Sequence, residues 1–140
     1  MAQPVQFADK AHWNDLEIHA LLDYLVLNRA QGGDGGNFPQ ETYNKAAVLL
    51  NADETLESVG ALKTGKKVKT KWTSLKKSFS GIETYRNQSG CHWDKDTGAS
   101  IEGTDAGVVW KAYVEPQSHS SMRPFRNKGW VFYDKMLEIL

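Results

Sequence analysis

The residues with the clearest chemistry lie in one stretch, Lys63-Thr-Gly-Lys-Lys-Val-Lys-Thr-Lys-Trp-Thr-Ser-Leu-Lys-Lys-Ser-Phe-Ser-Gly-Ile82. From Val59 to Ile82 the chain carries seven lysines and no acid. Ammonium groups crowded with one sign suit an anionic partner, because neutralising phosphates releases the counterions condensed on a nucleic acid. Thr70, Thr73 and Ser74 are short enough to approach base edges when their backbone lies in a groove about 12 Å wide. Lys63, Lys66, Lys67, Lys69, Thr70, Thr73, Ser74 and Lys77 are therefore the candidate DNA contacts. The plainer alternative is a lysine-rich face bathed in solvent, although such faces usually interleave acids with bases.

A helix must position these groups. Val68, Trp72, Leu75, Phe79 and Ile82 recur at steps of four, three, four and three, the repeat of one buried stripe. At about 100° per residue Lys66, Thr70, Thr73 and Lys77 fall on the opposite side. The helix is expected over about residues 64–87, stopped by Ser89-Gly90.

The surrounding chain reads as further helices. Asn14 and Glu17 have capping-box spacing before Ile18, Leu21, Leu22 and Leu25, which predicts a first helix ending near Ala30. Pro39 suits the first turn of a second, with Tyr43, Ala46, Ala47 and Leu50 on its apolar side. A fourth helix is expected from Thr104 or Asp105, carrying Val109, Trp110, Tyr113 and Val114. A last one is expected from Pro124, with Trp130, Tyr133, Leu137 and Leu140 on one side. No alternating run predicts a strand. Met1 to Lys10 is short and expected to fray.

With 140 residues and 40% hydrophobic content, the chain suits one domain with a real core. Net charge is zero but unevenly distributed: residues 1–58 hold three bases and nine acids, and residues 59–89 hold eight and one. A positive field is thus local to the central helix. The single cysteine, Cys91, makes no internal disulfide, and there is no signal-like or membrane-length apolar run, so a soluble, reducing compartment is expected.

Other motifs point away from cofactors and catalysis. The Gly32-Gly-Asp-Gly-Gly36 loop lacks the Lys-Ser/Thr pair and the preceding strand of a phosphate cradle. Cys91-His92 is one adjacent pair, not a four-ligand metal set, and neither metal nor cofactor is expected. His12, His19, His92 and His119 have no partner at catalytic spacing, so no enzyme is expected. Trp13, Tyr43, Trp72, Leu75, Phe79, Trp93 and Trp110 are the expected structural core, and Trp13, Tyr43 and Trp72 in particular are expected to meet.

Trp13-Asn-Asp15, the Phe38 to Tyr43 segment, Lys71-Trp72-Thr-Ser-Leu-Lys-Lys77, Ser89-Gly-Cys-His-Trp-Asp94, Val109-Trp-Lys-Ala-Tyr113, Pro124-Phe-Arg-Asn-Lys-Gly129 and Tyr133-Asp134 follow one another along the chain. This ordered set resembles the Myb/SANT-like DNA-binding domain of plants and fungi, often found beside transposon-derived sequences. The resemblance implies an all-α fold, a Myb/homeodomain-like three-helix core with two additional C-terminal helices. It implies a single domain over residues 1–140, with the core at 11–89, a loop at 90–103 and a helical extension at 104–140. Trp13 and Trp72 match the first and third Myb tryptophans, Tyr43 stands at the second, and Lys66, Lys67, Lys69 and Lys71 match basic positions around the third. Two departures are the long 51–62 connection and Cys91-His92 before Trp93. The implied function is non-enzymatic binding of double-stranded DNA by the third helix in the major groove, in the nucleus, in transcription or a transposon-related role. The alternative is a SANT-like protein–protein interaction module, with partners held by the acidic N-terminal helices or by the C-terminal helices.

Overall fold

The computed structural model describes residues 11–140, so the expectation for Met1 to Lys10 lies outside the described residues. Among the described residues the fold is all-α: α1 Asp15–Leu27, α2 Gln40–Ala52, α3 Gly65–Arg86, α4 Thr104–Val114 and α5 Tyr133–Ile139, with short 3-10 segments between them and no strand. The capping box at the start of α1 forms as its spacing predicts. The Glu17 N–H donates to Asn14 Oδ1 at 2.8 Å, and the Asn14 N–H donates to Glu17 Oε1 at 3.0 Å. α1 stops at Leu27, and the chain passes through 3-10 turns at Arg29–Gln31 and Asp34–Gly36. Pro39 is the N-cap of α2, immediately before the first turn predicted for it. α3 is capped by Thr64, whose Oγ1 accepts the Lys67 N–H at 3.2 Å.

The chain forms two compact units, and α3 runs from one into the other. The first takes in the described residues up to Thr73 together with Lys135–Leu140. Its buried residues include Ile18, Leu21, Leu22 and Leu25 of α1, the predicted stripe of α2, and Val68 and Trp72 of α3. The second is Ser74–Asp134. Ile82 and Tyr85 of α3 pack there with Trp110 and Val114 of α4, and with Met122, Phe125 and Tyr133. Phe79 and Trp93 are only partly buried against that cluster, and Val109 lies 70% exposed rather than on the packed side of α4.

The expected last helix from Pro124 does not form as such. Gln117–Phe125 is a 3-10 segment containing Pro124, and α5 begins only at Tyr133. The backbone between them is bonded to the loop that follows Trp93. Phe125 O accepts from the Ala99 N–H at 2.9 Å, Arg126 O from the Ile101 N–H at 3.3 Å, and the Gly129 N–H donates to Asp96 O at 3.1 Å. A Cβ on Gly129 would lie 1.7 Å from Lys95 O, so only glycine allows this approach. The Gly129 N–H given to Asp96 O does not close a helical turn onto the Phe125 carbonyl, and Trp130 sits outside a helix.

Candidate nucleic-acid interface

The start of α3 is held closely against α2. A Cβ on Gly65 would come within 1.8 Å of Asn44 Oδ1, so the glycine leaves room for the Asn44 side chain against the start of the helix. Beyond it, Val68 and Trp72 are fully buried, which fixes the rotation of the helix. Lys66, Lys69, Thr70 and Thr73 are exposed in the first unit, and Ser74 and Lys77 are exposed where the helix continues in the second. Lys67 is half-buried and interacts within the protein. Lys71 is also half-buried; burial pulls its ammonium below the usual lysine range, partly offset by the Asp15 carboxylate. The Thr70 hydroxyl donates to Lys66 O at 3.0 Å. Its oxygen is left as an acceptor, suited to an amino group on a base edge.

Lys63 departs from the expectation of a DNA contact. It is 4% exposed, and its ammonium bonds Glu17 Oε2 in a buried ion pair, with the Trp13 ring centroid 4.8 Å away. Ser58 Oγ donates to the same carboxylate oxygen at 2.7 Å. Burial pushes the Glu17 carboxyl up, but the bonds from Lys63, from the Asn14 N–H and from Ser58 outweigh it and hold it below the ordinary range. Lysine and glutamate are almost never buried unless paired. The lysine is thus a fastening between α1 and the segment entering α3.

That entry segment, expected at 51–62, begins only after Ala52 at the end of α2, and polar side chains organise it. Asn51 clasps the backbone of Lys63 from both sides, accepting its N–H at 2.9 Å and donating to its carbonyl at 2.7 Å. Asn14 Nδ2 donates to Leu56 O at 2.9 Å and Glu57 O at 3.2 Å. Residues 54–56 form a 3-10 turn, and Glu57 adopts φ 54°. Asn51 and Ser58 went unnoticed in the sequence because a side chain bonding distant backbone leaves no periodic trace.

The glycine cluster also has a structural role. Trp72 Nε1 donates to Gly36 O at 2.8 Å. Gly36 has φ +67°, and a Cβ there would lie 2.9 Å from the Trp72 ring and 2.8 Å from Leu140. Phe38 sets its ring edge-on to both Trp72, at 5.9 Å, and Tyr43, at 6.2 Å. Tyr43 and Trp72 therefore meet through Phe38, while Trp13 stays half-exposed under the Lys63 ammonium. Among the described residues no group of three or more His, Cys, Asp or Glu could hold a metal, and no helix is long and apolar enough to cross a membrane.

A helix rotated by a buried tryptophan, with lysines and hydroxyls opposite, is the arrangement on which a comparison with known families bears. The family model of the Myb/SANT-like DNA-binding domain matches residues 12–113. The chain belongs to this family. No curated protein and no solved structure matches significantly. The Myb/SANT-like match takes in α1, α2, α3 and most of α4, and supports a role in DNA binding.

Proposed function

We propose that the exposed side of α3 docks in the major groove of duplex DNA, with Lys66, Lys69 and Lys77 on phosphates and Thr70, Thr73 and Ser74 facing base edges. The observation that carries this is the absence of any carboxylate on α3 before Glu83, while lysines and hydroxyls fill its exposed side. Glu83 itself is turned to other work. It receives the Tyr133 hydroxyl, and Arg86 donates to the same tyrosine oxygen at 3.1 Å. Arg86 is the first Arg, Asn or Gln on the helix, so the strongest bidentate base contacts are missing from the exposed side. Weak sequence preference from one copy follows. On this reading the protein works in the nucleus without catalysis, in transcription or in a transposon-related process.

The test is duplex binding at several salt concentrations. Lys66→Gln, Lys69→Gln and Lys77→Gln together should leave folding nearly intact, at about 0.5 kcal/mol or less each. The log–log salt slope should shrink by about 0.9 for each phosphate left without its lysine, roughly 2 to 3 units in all. An unchanged affinity and slope would overturn the proposal.

A second reading, a protein-interaction module, is favoured by one feature of the first unit. Between α1 and α2 lies a groove of about 300 Å³ lined by Tyr24, Leu27 and Leu49 with Asp23 and Asp53. Leu27 is 84% exposed and Leu49 54%. Retained affinity in the triple lysine variant would turn attention to this groove.

A further inference from the structure

Within the second unit, α3 and the 3-10 segment Gln117–Phe125 enclose a half-open recess of about 170 Å³. That is more than ten times the roughly 10–15 Å³ one water molecule needs. Lys77, Ser80, Gly81 and Thr84 line one wall at the spacing of a single helix face. Ser118, His119 and Ser121 line the other. The lining offers one ammonium, one imidazole and four aliphatic hydroxyls, and no carboxylate.

Two features show how the recess is built. Gly81 forms part of its wall, and a Cβ there would lie 2.3 Å from Ser121 Oγ, so a side chain would take space the recess now leaves open. His119 stacks on Tyr113 with centroids 4.1 Å apart and planes within 10°. Its Nδ1 lies 2.8 Å from Tyr113 O. A carbonyl only accepts, so Nδ1 carries the proton and Nε2 of the neutral ring is an acceptor, which leaves the four hydroxyls and the Lys77 ammonium as the donors of the recess. Hydrogen-bond donors gathered around an ammonium, with no negative charge among them, suit a tetrahedral oxyanion.

We propose that this recess is a phosphate-binding pocket, and that in the DNA-bound state it takes one backbone phosphate. Only the source of the phosphate rests on the proposed DNA binding. The stretch of α3 from Lys77 to Thr84 would thereby hold the backbone through donors on two separate elements rather than through lysines alone.

The test titrates inorganic phosphate into ¹⁵N-labelled protein at constant ionic strength, following the amides of Ser80, Gly81, Thr84, Ser118 and Ser121. The parent should show saturable shifts there. Thr84→Val with Ser118→Ala, both positions outside the proposed groove contacts, should raise the phosphate dissociation constant about tenfold for two missing hydrogen bonds. The same variant should weaken duplex binding by about tenfold with an unchanged salt slope, because neutral hydroxyls displace no counterions. Shifts without saturation in the parent would overturn the pocket. Phosphate binding weakened as expected in the variant with duplex affinity unchanged would support the pocket and overturn DNA as its source, and an unchanged phosphate dissociation constant would overturn the pocket. If the parent binds no duplex, the proposed function and the DNA source both fail, and the phosphate titration alone decides the recess.

Discussion

Changing Lys63 separates a lysine that holds the fold from lysines offered to DNA. The side chains of Lys63 and Glu17 are 2% and 1% exposed, so removing either leaves its partner charged and buried. Such a change costs about 3–5 kcal/mol, a large share of the roughly 5–15 kcal/mol that holds a domain together. The two single changes are not equivalent. Lys63→Met leaves the Glu17 carboxylate still accepting from the Asn14 N–H and Ser58 Oγ, which points to the lower end, about 3 kcal/mol. Glu17→Gln leaves the ammonium with the Trp13 ring but no carboxylate, which points to about 5 kcal/mol. At about 3 °C per kcal/mol for a chain of this size, melting should fall by about 10–15 °C. Combining Glu17→Gln with Lys63→Met should recover most of the loss, because no lone buried charge remains. Thermal and urea unfolding measure the stabilities, and duplex titration at several salt concentrations measures the slope. A folded Lys63→Met protein should keep the parent slope. If instead it melts within about 0.5 kcal/mol of the parent and its slope falls by about 0.9, the ammonium faces DNA and the buried pair is wrong.

The same pair sets an acid limit. A carboxyl held below its ordinary range contributes stability that is present above about pH 4 and lost as the pH falls through the lower folded value, so Glu17→Gln should flatten this part of the stability profile. Trp72→Ala should cost about 3–5 kcal/mol in urea unfolding, with the ring fully buried. Trp72→Phe orphans the Gly36 carbonyl, adding about 1–3 kcal/mol to the cost of poorer packing, whereas Trp93→Phe removes an indole N–H that has no partner and should cost less. Thr73→Ala should change preference among duplexes in competition binding while leaving the salt slope in place.

Much of the scaffold was legible because its causes are local and periodic. The apolar repeats of α1, α2 and α3, and the Asn14 to Glu17 box, follow from spacing alone, and each forms. The rotation of α3 was legible too, since Trp72 on one side implies Lys66, Lys69 and Thr73 on the other. What escaped depends on residues far apart in the chain. Lys63 reads as one more lysine in a basic run until Glu17, 46 positions away, is seen beside it. Trp130 reads as helical until the loop at 95–101 takes up the backbone of 125–129. The recess around His119 needed the 3-10 segment to lie over Gly81, and no motif announces that approach.

The six residues Lys135–Leu140 complete the first unit although they follow the whole of the second in the chain. Lys135 bonds Asp23 at 2.8 Å, the Arg29 guanidinium donates to Glu138 O at 2.9 Å, and Leu140 rests near Gly36, the residue that receives the Trp72 indole. A chain trimmed at residue 113, where the family match stops, would keep every lysine of α3 yet strip the covering from the loop that seats Trp72. Dissecting this protein by sequence boundaries would therefore damage the half that such a cut leaves nominally whole, and fragments that preserve its behaviour should retain both ends of the described chain.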